Sequence, residues 1–318
     1  MLINYFPKAA GYAIVSIVLI FAMPFDVAAS ESNLYILGDY ISRPDPAWRT
    51  VRVQKNGWSR RTGDVFPTDD AIRNLHRDLS PALRGNISIF YGNLATGWSY
   101  GFNEHRPYFS ASVPKAMLAL DVYMRAGRGE FSLDDTLVFR REHVFAPVTT
   151  VLSPGQVGQS FSIRDLLIWN TSYSDCSATR VLALSLGVDS LRQLIVGLGD
   201  SCSTIGDVIV NSSITAFNSA LHMQAIHNFI ESHNRYAGYL RRDLLNNRNP
   251  FISSSSGYVV ASKTGWTRGR AWHDMAIIYA DSPFVLVILT DRQGWSEQDY
   301  LDFALITRVF EEFNRRWF

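Results

Sequence analysis

Ser112 and Lys115 stand three residues apart at a point where the hydrophobic pattern of the chain changes. The residues before them, 87–102, read as two alternating strands joined by a tight turn. The residues after them, up to Gly127, carry apolar side chains at helical spacing. A hairpin, a second turn at 103–105 and then a helix are therefore predicted, with both polar side chains on one face of the first helical turn.

The chemistry of this pair is that of an activated nucleophile. A serine hydroxyl attacks poorly until a base takes its proton, and a neutral lysine amine is one such base. A helix N-terminus also offers free backbone N–H groups and a favourable dipole for developing negative charge. Ordinary residue usage, however, produces a Ser and a Lys at this spacing about once in a chain of this length. The pair indicates an active site only if other stretches supply its partners.

Lysine is rare in this chain. It occurs at positions 8, 55, 115 and 263, and all other basic residues are arginine. Arginine stays protonated, whereas burial or a neighbouring positive charge can make lysine neutral. Lysine at 115 and 263 therefore favours two sites that need an amine, while compositional drift is enough to explain Lys55.

Two further stretches carry polar groups next to apolar runs. Ser174 and Asp175 lie between two apolar helical segments, where a helix cap is the ordinary interpretation. A β-rich run ends in Lys263, Thr264 and Gly265. Lys and Thr can donate to an anion, and Gly lets a ligand approach the strand backbone closely. The alternative is a strand that ends in an ordinary polar turn.

Composition and charge narrow the class of protein. The 318 residues are 47% hydrophobic with a formal net charge of +1, which indicates a globular protein and no nucleic-acid partner. The histidines show no metal-ligand spacing beyond the five-residue separation of His222 and His227. No metal or other cofactor is therefore expected. His273, Arg268 and Arg270 are interpreted as exposed turn positions, with carboxylate binding as the alternative.

The N-terminus reads as an export signal. Lys8 precedes an apolar run at 9–23, and small residues follow that permit cleavage after Ala29. The run is short for a membrane span, so residues 1–29 are interpreted as a cleaved signal peptide, with an uncleaved membrane anchor as the alternative. A periplasmic or secreted protein without a stable membrane partner is expected.

Residues 30–67 are interpreted as an N-terminal extension of unknown role, broken by Pro and Gly, and residues 68–318 as the catalytic domain. Helices are predicted at both ends of that domain. The first is capped by Thr68 and has the apolar positions Ile72, Leu75, Leu79 and Leu83. The last covers residues 298–313 and has the apolar positions Leu301, Ala304, Leu305 and Val309.

Taken together, the three polar stretches resemble the motif set of the penicillin-recognising serine enzymes. In chain order the motifs are Ser112-x-x-Lys115, Ser174-Asp175-Cys176 and Lys263-Thr264-Gly265. A hairpin with Thr96-Gly97-Trp98 and a Ser132-Leu133-Asp134 segment make residues 68–318 similar to class A β-lactamases in particular. The resemblance implies an α+β fold in which an antiparallel sheet is flanked by terminal helices, with a helical lobe beside it and the site in the cleft.

The resemblance also implies roles for the catalytic residues. Ser112 would attack the amide carbonyl and form an acyl-enzyme, Lys115 would act as base or proton shuttle, and Ser174 would pass a proton to the leaving nitrogen. Lys115 and Lys263, if both line the cleft, would lower each other's pKa by like-charge repulsion.

Substrate binding is implied for four more positions. Lys263 and Thr264 would hold the substrate carboxylate, and the backbone N–H groups of Ser112 and Trp266 would form the oxyanion hole. Cys176 stands where the family has Asn, and a thiol is a poor donor and acceptor for a substrate amide. In an oxidising compartment Cys176 can instead be bridged to Cys202.

Class A β-lactamases have a Glu-x-x-Leu-Asn segment after the second motif, and its glutamate activates the water that releases the acyl group. This chain has no such segment. The acids between the second and third motifs are Asp189, Asp200, Asp207, Glu231 and Asp243. Asp207 is the best substitute base. General-base assistance is worth roughly 10²–10⁴-fold, so acylation can be intact while turnover is slow.

Three functions remain open from the sequence. The first is a serine hydrolase of the class A β-lactamase family that attacks the β-lactam amide. The second is a D-alanyl-D-alanine peptidase or transpeptidase, and the third is a non-catalytic penicillin- or muropeptide-binding protein. The expected partner is a small-molecule β-lactam or a peptidoglycan stem peptide.

Overall fold

The computed structural model describes residues 49–52, for which only the backbone path is given, and residues 67–145, 150–200, 212–292 and 296–318. The predicted signal peptide, nearly all of the predicted extension, Cys202 and Asp207 lie outside these residues.

The centre of the fold is a six-stranded sheet in the order β1-β3-β2-β10-β9-β8. These strands are β1 (Arg49–Arg52), β2 (Ile87–Asn93), β3 (Trp98–Phe102), β8 (Val259–Thr267), β9 (Ala271–Tyr279) and β10 (Phe284–Thr290). Five of them pair antiparallel, with Tyr91 opposite Tyr100 and Leu286 opposite Tyr91. The edge strand β1 pairs parallel with β3.

Two small ribbons complete the strands. One pairs β4 (Tyr108–Phe109) with β7 (Ser213–Ile214), and the other pairs β5 (Thr136–Val138) with β6 (Ser160–Ser162). The β4–β7 ribbon matters for the site because the chain reaches Ser112 directly from β4.

Eight helices lie in the described part of the chain. They are α1 (Asp69–Leu79), α2 (Lys115–Gly127), α3 (Ile163–Thr171), α4 (Cys176–Leu186), α5 (Asp189–Gly197), α6 (Ala216–Ile230), α7 (Ala237–Leu245) and α8 (Glu297–Trp317). The terminal helices α1 and α8 share a hydrophobic cluster with one face of the sheet, and the helices between them share a second cluster with the other face.

Strand β10 shows why the sheet is buried on both faces. Val285, Val287 and Leu289 belong to the cluster of the helical lobe. Phe284, Leu286 and Ile288 belong to the cluster of the terminal helices. Successive side chains of a strand point to opposite faces, so a central strand covered on both sides needs apolar residues at every position. The predicted α+β architecture is confirmed.

Helix ends follow local chemistry. Thr68, Ser162 and Asp175 each cap a helix by accepting a backbone N–H, as the sequence predicted for Thr68. Helix α1 ends at Leu79 and gives way to a 3₁₀ turn at Ser80–Ala82, short of the predicted Leu83. Pro81 explains the change, because proline cannot donate the next helical hydrogen bond.

The predicted inward face of α8 is partly correct. Leu301 is 49% exposed, whereas Leu305 and Val309 pack partly buried against the terminal-helix cluster. The buried side chains that α8 contributes to this cluster are Phe303, Ile306, Phe310 and Phe313. This set has equally good helical spacing, and burying phenylalanine rings removes more apolar area from water than burying alanine. Among the described residues, no helix combines the length and hydrophobicity that a membrane crossing needs.

Candidate active site

The segment that leads to Ser112 is held on two sides. Phe109 pairs with Ser213 across the β4–β7 ribbon, and the Ser110 N–H donates to the Ser212 carbonyl at 2.9 Å. On the other side, His273 Nε2 lies 2.8 Å from the Phe109 carbonyl oxygen.

His273 is a buried structural residue, so its interpretation as an exposed turn position is wrong. Its Nδ1 accepts the Thr290 N–H at 3.1 Å, which places the ring proton on Nε2 for donation to Phe109. Burial lowers its pKa to about 4. Arg268 and Arg270 are exposed as expected, and the Arg270 guanidinium lies 4.2 Å from the Phe109 ring centroid.

Ser112 occupies a turn just before the regular part of α2. The preceding residue, Ala111, has φ of +47°, a left-handed conformation that non-glycine residues rarely adopt. Backbone strain of this kind concentrates at functional sites. The Lys115 N–H donates to the Ser112 carbonyl at 3.3 Å, so both residues share this turn. Ser112 is half-buried.

Gly265 brings strand β8 against this turn. A Cβ atom at Gly265 would lie 2.9 Å from Val113 Cγ2 and 3.0 Å from both Ser110 O and Ser112 N. The sequence predicted that a ligand approaches this glycine, and the structure places the chain's own Ser112 backbone there. Gly265 therefore sets the distance between the first motif and the third.

Lys115 is fully buried and reaches the second motif. Its Nζ donates to the Ser174 carbonyl oxygen at 2.6 Å and to Ser174 Oγ at 3.4 Å, and lies 3.3 Å from Cys176 Sγ. Burial lowers the Lys115 pKa, while Cys176 and Asp175 oppose that change. Within the described part of the chain, no hydrogen bond to the Ser112 hydroxyl is formed.

Lys263 approaches Ser174 from the sheet. Its Nζ donates to Ser174 Oγ at 3.0 Å and to the Thr264 carbonyl at 2.8 Å. Burial, followed by the charge of Lys115, lowers the Lys263 pKa to about 7. Ser174 itself has φ of +56°. The structure thus brings Lys115, Ser174 and Lys263 together, with one hydroxyl between two buried amines.

Asp175 has a structural role. Its Oδ1 accepts the Ala178 N–H at 2.7 Å, which caps α4. Its Oδ2 accepts three N–H groups, from Thr150, Val151 and Leu152. The helix-cap interpretation is therefore confirmed for Asp175, whereas the adjacent Ser174 faces the two amines.

Thr264 and Trp266 lie further along β8. The Thr264 hydroxyl donates to Asn247 Oδ1 at 3.4 Å, and Asn247 Nδ2 donates to Ser262 Oγ at 2.9 Å. Trp266 is 42% exposed. Asn247 is missing from the sequence-based set because it lies in a polar turn after α7, where no motif or periodicity distinguishes it.

Cys176, the unusual residue of the second motif, is a buried free thiol at the first position of α4.

Besides Asn247, sequence reasoning missed Asn170. Its Nδ2 donates to the Lys115 carbonyl at 3.0 Å, and its Oδ1 accepts from Thr179. These contacts fix the first turn of α2 against α3 and α4.

The four described acids between the second and third motifs do not hydrogen-bond to Ser112 or to either amine. Asp189 has an 88% exposed side chain, and Glu231 is exposed at the end of α6. Asp200 and Asp243 are buried and paired, with His222 at 2.9 Å and Arg164 at 2.6 Å. No group of three or more potential metal ligands occurs among the residues that the structure covers.

Comparisons with known proteins identify solved structures with a similar fold. A β-lactamase from Chitinophaga pinensis is 21% identical, with 77% of this chain and 99% of that chain aligned at a TM-score of 0.66. A β-lactamase from Sphaerobacter thermophilus is 23% identical, with 75% of this chain and 95% of that chain aligned at a TM-score of 0.66. The acyl-enzyme complex of a PBP-A mutant with penicillin G is 16% identical, with 79% of this chain and 100% of that chain aligned at a TM-score of 0.67.

At these identities the structural matches establish the fold. A search of curated protein sequences finds no match. A sequence model described as the β-lactamase enzyme family matches residues 68–311, which is most of the chain. The chain therefore belongs to the β-lactamase enzyme family.

Proposed function

We propose that this protein is a serine acyl-transfer enzyme of the class A type that opens the β-lactam amide through an acyl-enzyme on Ser112. The observation that carries the proposal is the position of the Ser174 hydroxyl, 3.0 Å from the Lys263 amine and 3.4 Å from the Lys115 amine. Buried amines with lowered pKa values are suited to proton transfer near neutral pH.

In the proposed acylation, Ser112 Oγ attacks the carbonyl carbon while its proton passes to the neutral Lys115 amine. The backbone N–H groups of Ser112 and Trp266 stabilise the oxyanion. When the carbon–nitrogen bond breaks, the proton moves from Lys115 through the Ser174 hydroxyl to the leaving nitrogen. The protonated form of Lys263, together with Thr264, holds the substrate carboxylate.

Cys176 modifies substrate binding in this proposal. Where the family has an amide that donates and accepts, this chain has a thiol, which does both poorly. The thiol lies 3.3 Å from Lys115 Nζ, so it faces the proposed base. We therefore expect acylation to depend less on the side-chain amide of the substrate than in relatives with Asn.

Release of the acyl group is proposed to be slow. Asp207 remains the candidate deacylation base, and it lies outside the residues that the structure describes. The carboxylates that act electrostatically on the two amines are Asp175 and Asp274, and Asp175 is occupied by backbone N–H groups. A missing general base costs roughly 10²–10⁴-fold in rate.

The second candidate function is a D-alanyl-D-alanine peptidase or transpeptidase that acts on peptidoglycan stem peptides. It is supported by the four described acids between the second and third motifs, which are either exposed or paired with other side chains and do not contact Ser112 or the two amines. This function needs the three motifs and not the deacylation glutamate. A non-catalytic penicillin- or muropeptide-binding role is the third. For all three we propose export directed by residues 1–29, with a periplasmic or secreted mature protein.

Intact-mass measurement after incubation with penicillin tests the proposal. The wild type should gain the mass of one penicillin, and Ser112→Ala should gain none. Absence of the adduct in the wild type contradicts both enzyme functions, and an adduct on Ser112→Ala contradicts the assigned nucleophile.

The lifetime of the adduct separates the enzyme functions. Steady release of hydrolysed penicillin supports the β-lactamase, whereas a persistent adduct together with cleavage of a D-alanyl-D-alanine peptide supports the peptidase. Asp207→Asn should slow release without slowing acylation. Unchanged release in this variant excludes Asp207 as the base.

A further inference from the structure

Two buried serine hydroxyls, outside all three motifs, meet just before the turn that carries Ser112. The hydroxyl of Ser212, the residue before β7, donates to Ser110 Oγ at 2.7 Å. Ser110 has no exposed area, and Ser212 is 4% exposed. Burying a hydroxyl costs free energy unless it forms a hydrogen bond, so the pair stabilises this arrangement of the two segments.

The backbone joins the same two residues. The Ser110 N–H donates to the Ser212 carbonyl at 2.9 Å, which continues the β4–β7 register by one residue. The Ser110 carbonyl in turn accepts the Val113 N–H at 3.2 Å and closes the turn that contains Ser112. Ser110 is therefore held at its N–H, its side chain and its carbonyl, and two of these three contacts come from Ser212.

The turn beyond Ser110 has an unfavourable backbone conformation. Ala111, which lies between Ser110 and Ser112, has φ of +47°. A non-glycine residue keeps such a conformation only where its surroundings enforce it. After the turn, the Ser112 carbonyl is held by the Lys115 N–H at 3.3 Å. The conformation of Ala111 therefore depends on how firmly Ser110 is held before it.

We propose that Ser212 is a positioning residue that holds Ser110 and, through it, the turn that carries Ser112. The inference rests on the proposed function, in which the Ser112 hydroxyl attacks and the Ser112 N–H stabilises the oxyanion. Both groups belong to the residue directly after Ala111, so a change in the Ala111 dihedral angles moves them together.

The expected consequence is a loss of rate without a loss of binding. A nucleophile displaced by about 1 Å loses about 10²-fold in rate. The side chains proposed to hold the substrate carboxylate, Lys263 and Thr264, lie on strand β8 and do not depend on this turn. Ser212 should therefore affect the acylation step and leave the affinity for penicillin unchanged.

Acylation kinetics with penicillin test the inference. Ser212→Ala keeps the backbone contact and loses the hydroxyl, so the acylation rate constant at saturating penicillin should fall about tenfold. The dissociation constant of penicillin before acylation should not change. Ser213→Ala is the matched control, because Ser213 is the next residue, is half-buried and pairs with Phe109 through its backbone. Equal rate constants in the two variants overturn the inference.

A double-variant cycle tests the hydroxyl pair itself. Ser110→Ala and Ser212→Ala each remove one partner of the same hydrogen bond, so the double variant should acylate about as fast as the slower single variant. If the two losses of rate multiply, the hydroxyls act separately and the inference is wrong. Weaker penicillin binding with an unchanged rate constant also contradicts it, because that result indicates a loosened cleft and not a displaced nucleophile.

Amide hydrogen exchange provides a test that needs no substrate. The N–H groups of Ser110 and Val113 should exchange about tenfold faster in Ser212→Ala than in the wild type and in Ser213→Ala. Unchanged exchange in the folded variant overturns the inference, whether or not the protein reacts with penicillin. Failure of the wild type to react contradicts the proposed function instead, so the two failures are distinguishable.

Discussion

Gly265 lies so close to Ser112 that a methyl group on its Cα would stand 3.0 Å from the Ser112 backbone nitrogen. This contact joins the strand of the third motif to the turn that carries the proposed nucleophile. It leaves no room for a side chain, because distances of this order are shorter than van der Waals contact and two of the three nearest neighbours, Ser110 O and Ser112 N, are backbone atoms.

Gly265→Ala should therefore displace Ser112 or β8 by a few tenths of an ångström and reduce acylation by about 10²-fold. The measurement is the rate of adduct formation with penicillin. Gly155→Ala is the matched control, since a Cβ at Gly155 meets no atom within 4 Å. Equal acylation rates in the two variants would show that the contact does not position the nucleophile.

Cys176→Asn should increase acylation by penicillins that carry an acylamino side chain. An Asn amide supplies a donor and an acceptor to the substrate, and one net hydrogen bond corresponds to about three- to tenfold in rate at low substrate concentration. Cys176→Ala, which lacks both groups, should bring no gain. If both variants acylate alike, the residue at 176 does not contact the substrate amide.

Asp175→Asn should destabilise the fold by about 2–3 kcal/mol in the free energy of unfolding. The charged carboxylate accepts four backbone N–H groups, and hydrogen bonds to a charged acceptor are stronger than those to a neutral amide. Denaturant unfolding measures the change. Asp189→Asn, at an 88% exposed side chain, should stay within about 0.5 kcal/mol of the wild type. Similar losses in the two variants would contradict the structural role of Asp175.

His273 should make the fold sensitive to acid. Its pKa is lowered from 6.5 to about 4 in the folded protein, so below pH 6.5 the unfolded chain binds a proton that the folded protein does not. Stability is therefore lost as the pH falls from about 6.5 to about 4, by about 3 kcal/mol in total. His273→Gln removes this titration, and its stability should fall less over the same range. Parallel pH profiles of the two proteins would exclude this contribution.

Much of the fold follows from patterns along the chain. The alternation at 87–102, the apolar run of β10 and the side-chain caps at Thr68 and Asp175 are local signals, and the structure contains the elements that they predict. The buried face of α8 was less predictable, since two sets of apolar residues have helical spacing and only contact with the sheet selects the aromatic one.

The three motifs, their order and the two lysines in a chain that otherwise uses arginine can all be read from the sequence. The contacts between motifs depend on how the elements pack: Lys115 and Lys263 meet at Ser174, and Gly265 faces Ser112. Packing also buries His273 and Asp274. The physical reason is that spacing along the chain specifies neighbours within one helix or strand. The pKa of a buried amine depends on charges from other elements, which only packing brings within reach.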